Sequence, residues 1–168
     1  ATLNLKMYLQ GYYAGGGLMQ NVLYNEGVTP APGNECDTID ILLRQASFPY
    51  TIVSSSKRVL QTDGTVTFGG SVNLGQAYYI TIKHRNTVET WSANPVTINE
   101  NTFYDFTAGA NKAYGDNQAE VGTGVWAFFS GDINQDENVD LLDIGFLESD
   151  ISNFLFGYYA TDINGDGN

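Results

Sequence analysis

Apolar and polar residues alternate through most of the chain up to residue 129. A period of two is the pattern of a half-buried strand, because successive side chains point to opposite faces. Leu3, Leu5, Met7 and Leu9 alternate with Asn4, Lys6 and Tyr8. In residues 38–44, Ile39, Ile41 and Leu43 share one face, with Asp40, Leu42 and Arg44 on the other. Residues 50–54, 65–68, 78–83, 87–91, 96–98, 103–106 and 125–129 read as further strands, and Tyr78, Ile80 and Ile82 share one side of theirs. Turn formers separate them, among them Gly15-Gly16-Gly17, the Pro/Gly/Asn-rich loop 29–34 and Asp63-Gly64. Many short strands at this spacing predict a mainly β fold, a β-sandwich of immunoglobulin-like or prealbumin-like type.

The period changes after residue 140. Leu141, Ile144, Leu147, Ile151, Phe154 and Leu155 recur at helical spacing over residues 140–156, and no helical period precedes them. The sequence therefore predicts a β-sandwich domain over 1–130 and a calcium-loop/helix appendage over 131–168. So short an appendage needs a metal or the sandwich to hold it.

With 168 residues, 42% of them hydrophobic and 15% charged, the composition is that of a folded chain. Nineteen acidic against seven basic residues give a net charge of −12. Such a chain repels nucleic-acid phosphates and anionic membrane surfaces, so neither partner is expected. No apolar run reaches membrane-spanning length, so membrane insertion is not expected either. A single cysteine, Cys36, excludes an internal disulfide framework and reads as a small apolar residue or a loop thiol. The opening strand fits a mature protein whose targeting segment has been removed.

Much of the acidity lies after residue 131, in a pattern with chemical meaning. From Asp132, oxygen-bearing side chains fall at loop positions 1, 3, 5, 9 and 12: Asp132, Asn134, Asp136, Asp140 and Asp143. Asn138 at position 7 would supply its backbone carbonyl. Calcium takes six to eight oxygens, and this spacing wraps a loop around one ion. Val139 at position 8 is expected to anchor the loop to the core. Glu137 stands at position 6, where such loops ask for Gly, and Asp143 stands at position 12 in place of Glu. A second copy begins 30 residues on, with Asp162, Asn164, Asp166 and Asn168 at positions 1, 3, 5 and 7 and Gly167 at position 6. Positions 9 and 12 of this copy lie past the last residue. Continuation of the natural chain, completion by another chain and a half-formed site all remain open.

The tail resembles the dockerin-type calcium repeat. The runs Leu3-Asn4-Leu5-Lys6, Gln10-Gly11-Tyr12-Tyr13, Tyr79-Ile80-Thr81-Ile82-Lys83-His84-Arg85-Asn86-Thr87-Val88-Glu89-Thr90-Trp91-Ser92 and Lys112-Ala113-Tyr114-Gly115-Asp116-Asn117-Gln118 are similar to a module at the ends of large bacterial surface proteins. The resemblance implies a calcium-bound, extracellular or cell-surface module with a stalk, adhesive or secretion-associated role and no assigned enzymatic activity.

No catalytic signature is readable. His84, the single histidine, sits between Lys83 and Arg85 in a strand pattern and reads as a sheet-face side chain. In the doublets Tyr12-Tyr13 and Tyr78-Tyr79 one ring of each pair is expected to be exposed, and Tyr158-Tyr159 is a third doublet. Trp91 and Trp126 read as core or interface anchors. Asp37-Thr38-Ile39 resembles a bacterial O-glycan acceptor at Thr38. The expected function is a non-enzymatic, calcium-stabilised structural or adhesive module, a subunit of a surface fibre. Its expected partners are further copies paired through the first strand, or other surface proteins and glycans. A carbohydrate-binding or dockerin-like recognition module is the alternative.

Overall fold

The structure is a computed structural model and describes residues 1–31 and 33–167. It is mainly β. The strands are β1 (Thr2–Lys6), β2 (Tyr13–Gly15), β3 (Leu18–Met19), β4 (Glu35–Gln45), β5 (Ile52–Gln61), β6 (Thr65–Thr67), β7 (Ala77–His84), β8 (Thr87–Trp91), β9 (Val96–Thr97), β10 (Asn101–Asp105), β11 (Ala119–Gly122) and β12 (Val125–Ala127). A single-turn helix α1 (Val22–Asn25) precedes β4, and α2 (Leu141–Ser152) lies in the tail.

The largest sheet runs β5-β4-β7-β8, with β9 also paired to β7. Its spine is the antiparallel β4–β7 pair, which sets Ile41 opposite Ile82 and Leu43 opposite Ile80. The period-two pattern predicts this face, and all four side chains are buried. A second sheet has the order β10-β1-β6. Here β1 pairs in parallel with β10 and antiparallel with β6, so both edges of the first strand are occupied within the monomer. Leu3 and Leu5 from β1 join Ile39, Ile41 and Leu43 from β4, Ile80 and Ile82 from β7, and Tyr12, Phe106 and Phe128 in one core cluster. Full burial of such side chains contributes about 1.5–3 kcal/mol each before entropy is counted.

The structure departs from the pattern in three places. β5 extends from Ile52 to Gln61, far beyond the strand expected over 50–54. It is an edge strand whose Ser54, Ser55, Ser56, Lys57 and Arg58 carry no apolar alternation, so periodicity cannot mark it. Tyr12 falls in a 3-10 turn (Gln10–Tyr12) rather than a strand and is buried, while Tyr13 is half-buried. The helix ends at Ser152, with Phe154 beyond it at a positive φ of 53°. Its apolar stripe is also not covered: Leu141, Ile144, Ile151, Phe154 and Leu155 are all exposed, and Asp143 is the buried residue of α2. Among the described residues no helix is long and apolar enough to cross a membrane.

Candidate metal centre

The first acidic loop folds around its own first residue. Asp132 is buried, and its carboxylate accepts the backbone N–H groups of Asp136 and Glu137, both at 3.1 Å. The Asn134 side-chain oxygen accepts from Asp136 N at 2.9 Å, and Asp136 Oδ1 accepts from Asn138 N at 3.0 Å. These side-chain-to-backbone bonds are the local alternative to helix or ladder pairing that Asp and Asn favour. The Asn138 carboxamide donates to the Asp136 backbone carbonyl at 3.1 Å. Asp140, at position 9, caps α2 by accepting from Leu142 N at 2.8 Å. Asp143 closes the loop: one oxygen accepts from Ile133 N and Asn134 N, the other from Asp140 N at 2.8 Å.

The second loop repeats this geometry 30 residues later. Asp162 is buried and accepts from Gly165 N at 2.8 Å and Gly167 N at 3.0 Å. Asn164 accepts from Asp166 N at 3.3 Å and donates its side-chain N–H to Asp166 Oδ2 at 2.8 Å. Positions 4 and 6 have positive φ in both loops: Gln135 at 60° and Glu137 at 72°, Gly165 at 75° and Gly167 at 83°. Glu137 therefore adopts the turn that glycine adopts in the second copy, at the steric cost of a Cβ. Asn168, expected at position 7, lies outside the described residues. Val139 is 54% exposed, so it does not anchor the loop in the core as expected.

Both loops dock on one turn of the large sheet. Between β7 and β8, the Asn86 carbonyl accepts from Gly131 N at 2.7 Å and the Thr87 carbonyl from Gln135 Nε2 at 3.3 Å. The Asn86 side chain donates to the Asp162 backbone carbonyl at 2.9 Å. Arg85 donates from Nη1 to the Tyr159 carbonyl, from Nη2 to Tyr12 OH at 2.6 Å and from Nε to Asp37 Oδ2 at 2.9 Å. On the other side of the second loop, Asn25 Nδ2 donates to the Gly165 carbonyl at 3.0 Å.

Asp37 is the centre of a buried polar network. It takes hydrogen bonds from His84 Nε2 at 3.0 Å, from Arg85 and from Tyr158 OH. Burial pushes its carboxyl up, but the His84 and Arg85 partners outweigh that and hold it well below the ordinary range. Burial pushes the His84 pKa down, against the opposing pull of Asp37. A neutral ring donates Nε2–H to Asp37 and faces the Asn86 amide with Nδ1, at 3.5 Å. Thr38 Oγ1 lies 3.1 Å from Tyr158 OH. Nothing in the spacing of Asp37, Arg85, Asn86 and Tyr158 announces this network, because its members meet only through the sheet and the docked tail.

The loop carboxylates have no such company. Among the described residues, no Lys, Arg or His forms an ion pair with Asp132, Asp143 or Asp162, although all three are buried. Burial pushes Asp132 up, against the loop amides, with the Asp143 charge adding to the rise. For Asp143 the amides of Asp140, Asn134 and Ile133 overcome burial and lower its pKa. The oxygens within these loops belong to carboxylates, carboxamides and backbone carbonyls, the chemistry of a hard cation rather than a soft one. Among the described residues no three His, Cys, Asp or Glu side chains converge on one point as a metal group. Any ion held here would draw on the Asn oxygens and backbone carbonyls as well as the carboxylates.

Compared with known proteins, the chain matches no protein-family model, no curated protein and no solved structure.

Proposed function

We propose that the chain is a non-enzymatic, extracellular module in which Ca²⁺ bound by the two tail loops secures a β-sandwich, and that it serves as a structural or adhesive unit of a surface assembly. The observation that carries this reading is the contrast between buried acids. Asp37 has His84 and Arg85, whereas Asp132, Asp143 and Asp162 have backbone amides and, among the described residues, no protein cation. Backbone amides already hold the Asp143 charge, whereas burial leaves Asp132 raised, and a metal would complete the compensation of the loop. In this reading Asp132, Asn134, Asp136, Asn138 and Asp143 hold one ion, with Asp140 divided between the ion and the helix cap. Asp162, Asn164 and Asp166 begin the second.

Several further observations support the proposal. One core cluster gathers residues from both larger sheets, as a sandwich of immunoglobulin-like or prealbumin-like type does. Extracellular loops of this type bind at about 10⁻⁴–10⁻³ M, a concentration maintained outside cells. The exposed apolar residues of α2 form the kind of surface that marks a contact with another chain. Because both edges of β1 are occupied, assembly by strand exchange would first have to withdraw it from its sheet.

Electron microscopy and light scattering in millimolar calcium, and again after chelation, test the assembly. Calcium-dependent oligomers or fibres are expected. Single compact particles of unchanged size in both conditions would overturn the structural role.

A further inference from the structure

We propose that the outer face of the large sheet carries a binding cleft for a neutral saccharide, walled by Tyr50, Tyr79, Trp91 and Tyr114. The cleft encloses about 560 Å³, within the ordinary range for small-ligand sites. Its aromatic wall is built by the sheet. Arg44 of β4 pairs with Tyr79 of β7, and Thr81, two residues on, pairs with Trp91 of β8. These side chains therefore stand on the face opposite Ile80 and Ile82. The Tyr79 and Trp91 rings lie 5.6 Å apart. Tyr50 sets its ring nearly perpendicular to both, at 5.7 and 5.9 Å, from a left-handed backbone with φ of 55°. For a bulky residue that conformation is uncommon and has to be held by its surroundings.

The tryptophan is locked before any ligand arrives. Its indole N–H donates to Glu89 Oε1 at 2.7 Å, and the Arg44 guanidinium lies 4.7 Å from the ring centre. Glu89, whose side chain is 8% exposed, also pairs with Lys83 at 2.7 Å and Arg44 at 3.5 Å. A fixed platform reduces the ordering cost of binding. Facing it, Tyr114 and Asn117 come from the turn after β10, and Tyr114 is 65% exposed.

Three features select the ligand class. Aromatic rings suit the C–H faces of a pyranose, which are apolar while its rim is polar. The Asn117 carboxamide and the hydroxyls of Tyr50, Tyr79 and Tyr114 have no hydrogen-bond partner among the described residues, so they are available to sugar hydroxyls. No Leu, Ile, Val or Met lines the cleft, which disfavours an apolar peptide side chain or an acyl chain. Glu89 and Glu137 add carboxylates, Arg44 and Lys83 are already engaged by Glu89, and the whole chain carries −12. The two cations are held by Glu89, so among the described residues the cleft offers no free cation to hold an anionic glycan, and an uncharged ligand fits it better. None of the stacking residues is a loop oxygen donor, but Glu137 of the first loop lines the cleft, so calcium is held constant in the test.

The test titrates the full chain, at constant calcium, with hexasaccharides of β-1,4-glucose, β-1,4-mannose, β-1,4-xylose and α-1,4-glucose, and with an oligogalacturonide. Calorimetry reads affinity, and tryptophan emission of a Trp126→Phe background reports on Trp91. At least one neutral oligosaccharide binds, and Tyr114→Ala and Tyr79→Ala each weaken it about tenfold. Phe103→Ala, an exposed ring on β10, leaves binding unchanged. Tyr114 is exposed, so its variant folds, and thermal melting verifies that. Failure of every neutral oligosaccharide to bind at millimolar concentration overturns the proposal. So does binding unaffected by both tyrosine variants, or equal binding of the oligogalacturonide.

Discussion

The Asn86 side chain donates to the backbone carbonyl of Asp162 at 2.9 Å, and the Asn86 backbone carbonyl accepts from Gly131. One residue of the β7–β8 turn thus touches the starts of both acidic loops. Asn86→Ala removes the bond to Asp162 and leaves its carbonyl with only the longer bond from Tyr12 OH, at 3.3 Å, a cost of about 1 kcal/mol. Hydrogen exchange is the direct readout: protection of Gly165 and Gly167 amides is expected to fall while that of β4 and β7 persists. Loss of protection spread evenly over the sheet would show that the tail does not dock through this residue.

The Asp37–His84 pair gives the chain a pH dependence with a definite sign. His84 is depressed by burial, so the unfolded chain takes up a proton below about pH 6.5 more readily than the folded one. Stability therefore falls as the pH drops through that value. Asp37 is held low by His84 and Arg85 after burial is overcome, so its contribution is complete above about pH 3.9 and is lost below it. Denaturant midpoints between about pH 7.5 and pH 5 should decline, and His84→Gln should flatten that decline. An identical slope in the variant would remove His84 from the account.

Glu26 follows α1, and both of its carboxylate oxygens are buried without a hydrogen-bond partner. Glu26→Gln removes a charge for which the described residues offer no hydrogen-bond partner. It is expected to raise the melting temperature in chelator, a change of about 1 kcal/mol. A lowered midpoint would show that the carboxylate is compensated in solution.

At position 6 of the first loop, Glu137 has a φ of 72°, where the second loop places Gly167. Glu137→Gly relieves that conformation at the expense of a more flexible unfolded chain. The net expectation is stabilisation of at most about 1 kcal/mol, together with tighter calcium binding. Weaker binding would mean that the Glu137 carboxylate itself serves the ion.

Legibility in the sequence followed the reach of each signal. The faces of β1, β4 and β7 were readable because Leu3, Leu5, Ile41 and Ile82 alternate with polar neighbours and one side of each strand is buried. β5 was largely hidden, since its middle residues Ser54 to Arg58 carry no apolar alternation and only Leu60 near its end enters the core. The acidic loops were readable because their hydrogen bonds are local, Asp132 to Asp136 and Asp162 to Gly165. The Asp37–His84–Arg85–Tyr158 network was not, because it joins partners up to 121 residues apart. In α2 the period correctly marked a helix, but Leu141 and Ile151 face solvent, so a helical stripe alone did not reveal whether anything covers it.

The central claim is that the tail loops take up calcium and that this stabilises the fold. Isothermal titration of the metal-free chain with Ca²⁺, paired with a thermal scan of the same sample, tests it most directly. The account predicts saturable binding, a higher melting midpoint in millimolar calcium, and loss of the first-loop component in Asp132→Ala. No binding heat and an unchanged midpoint at millimolar calcium would contradict it.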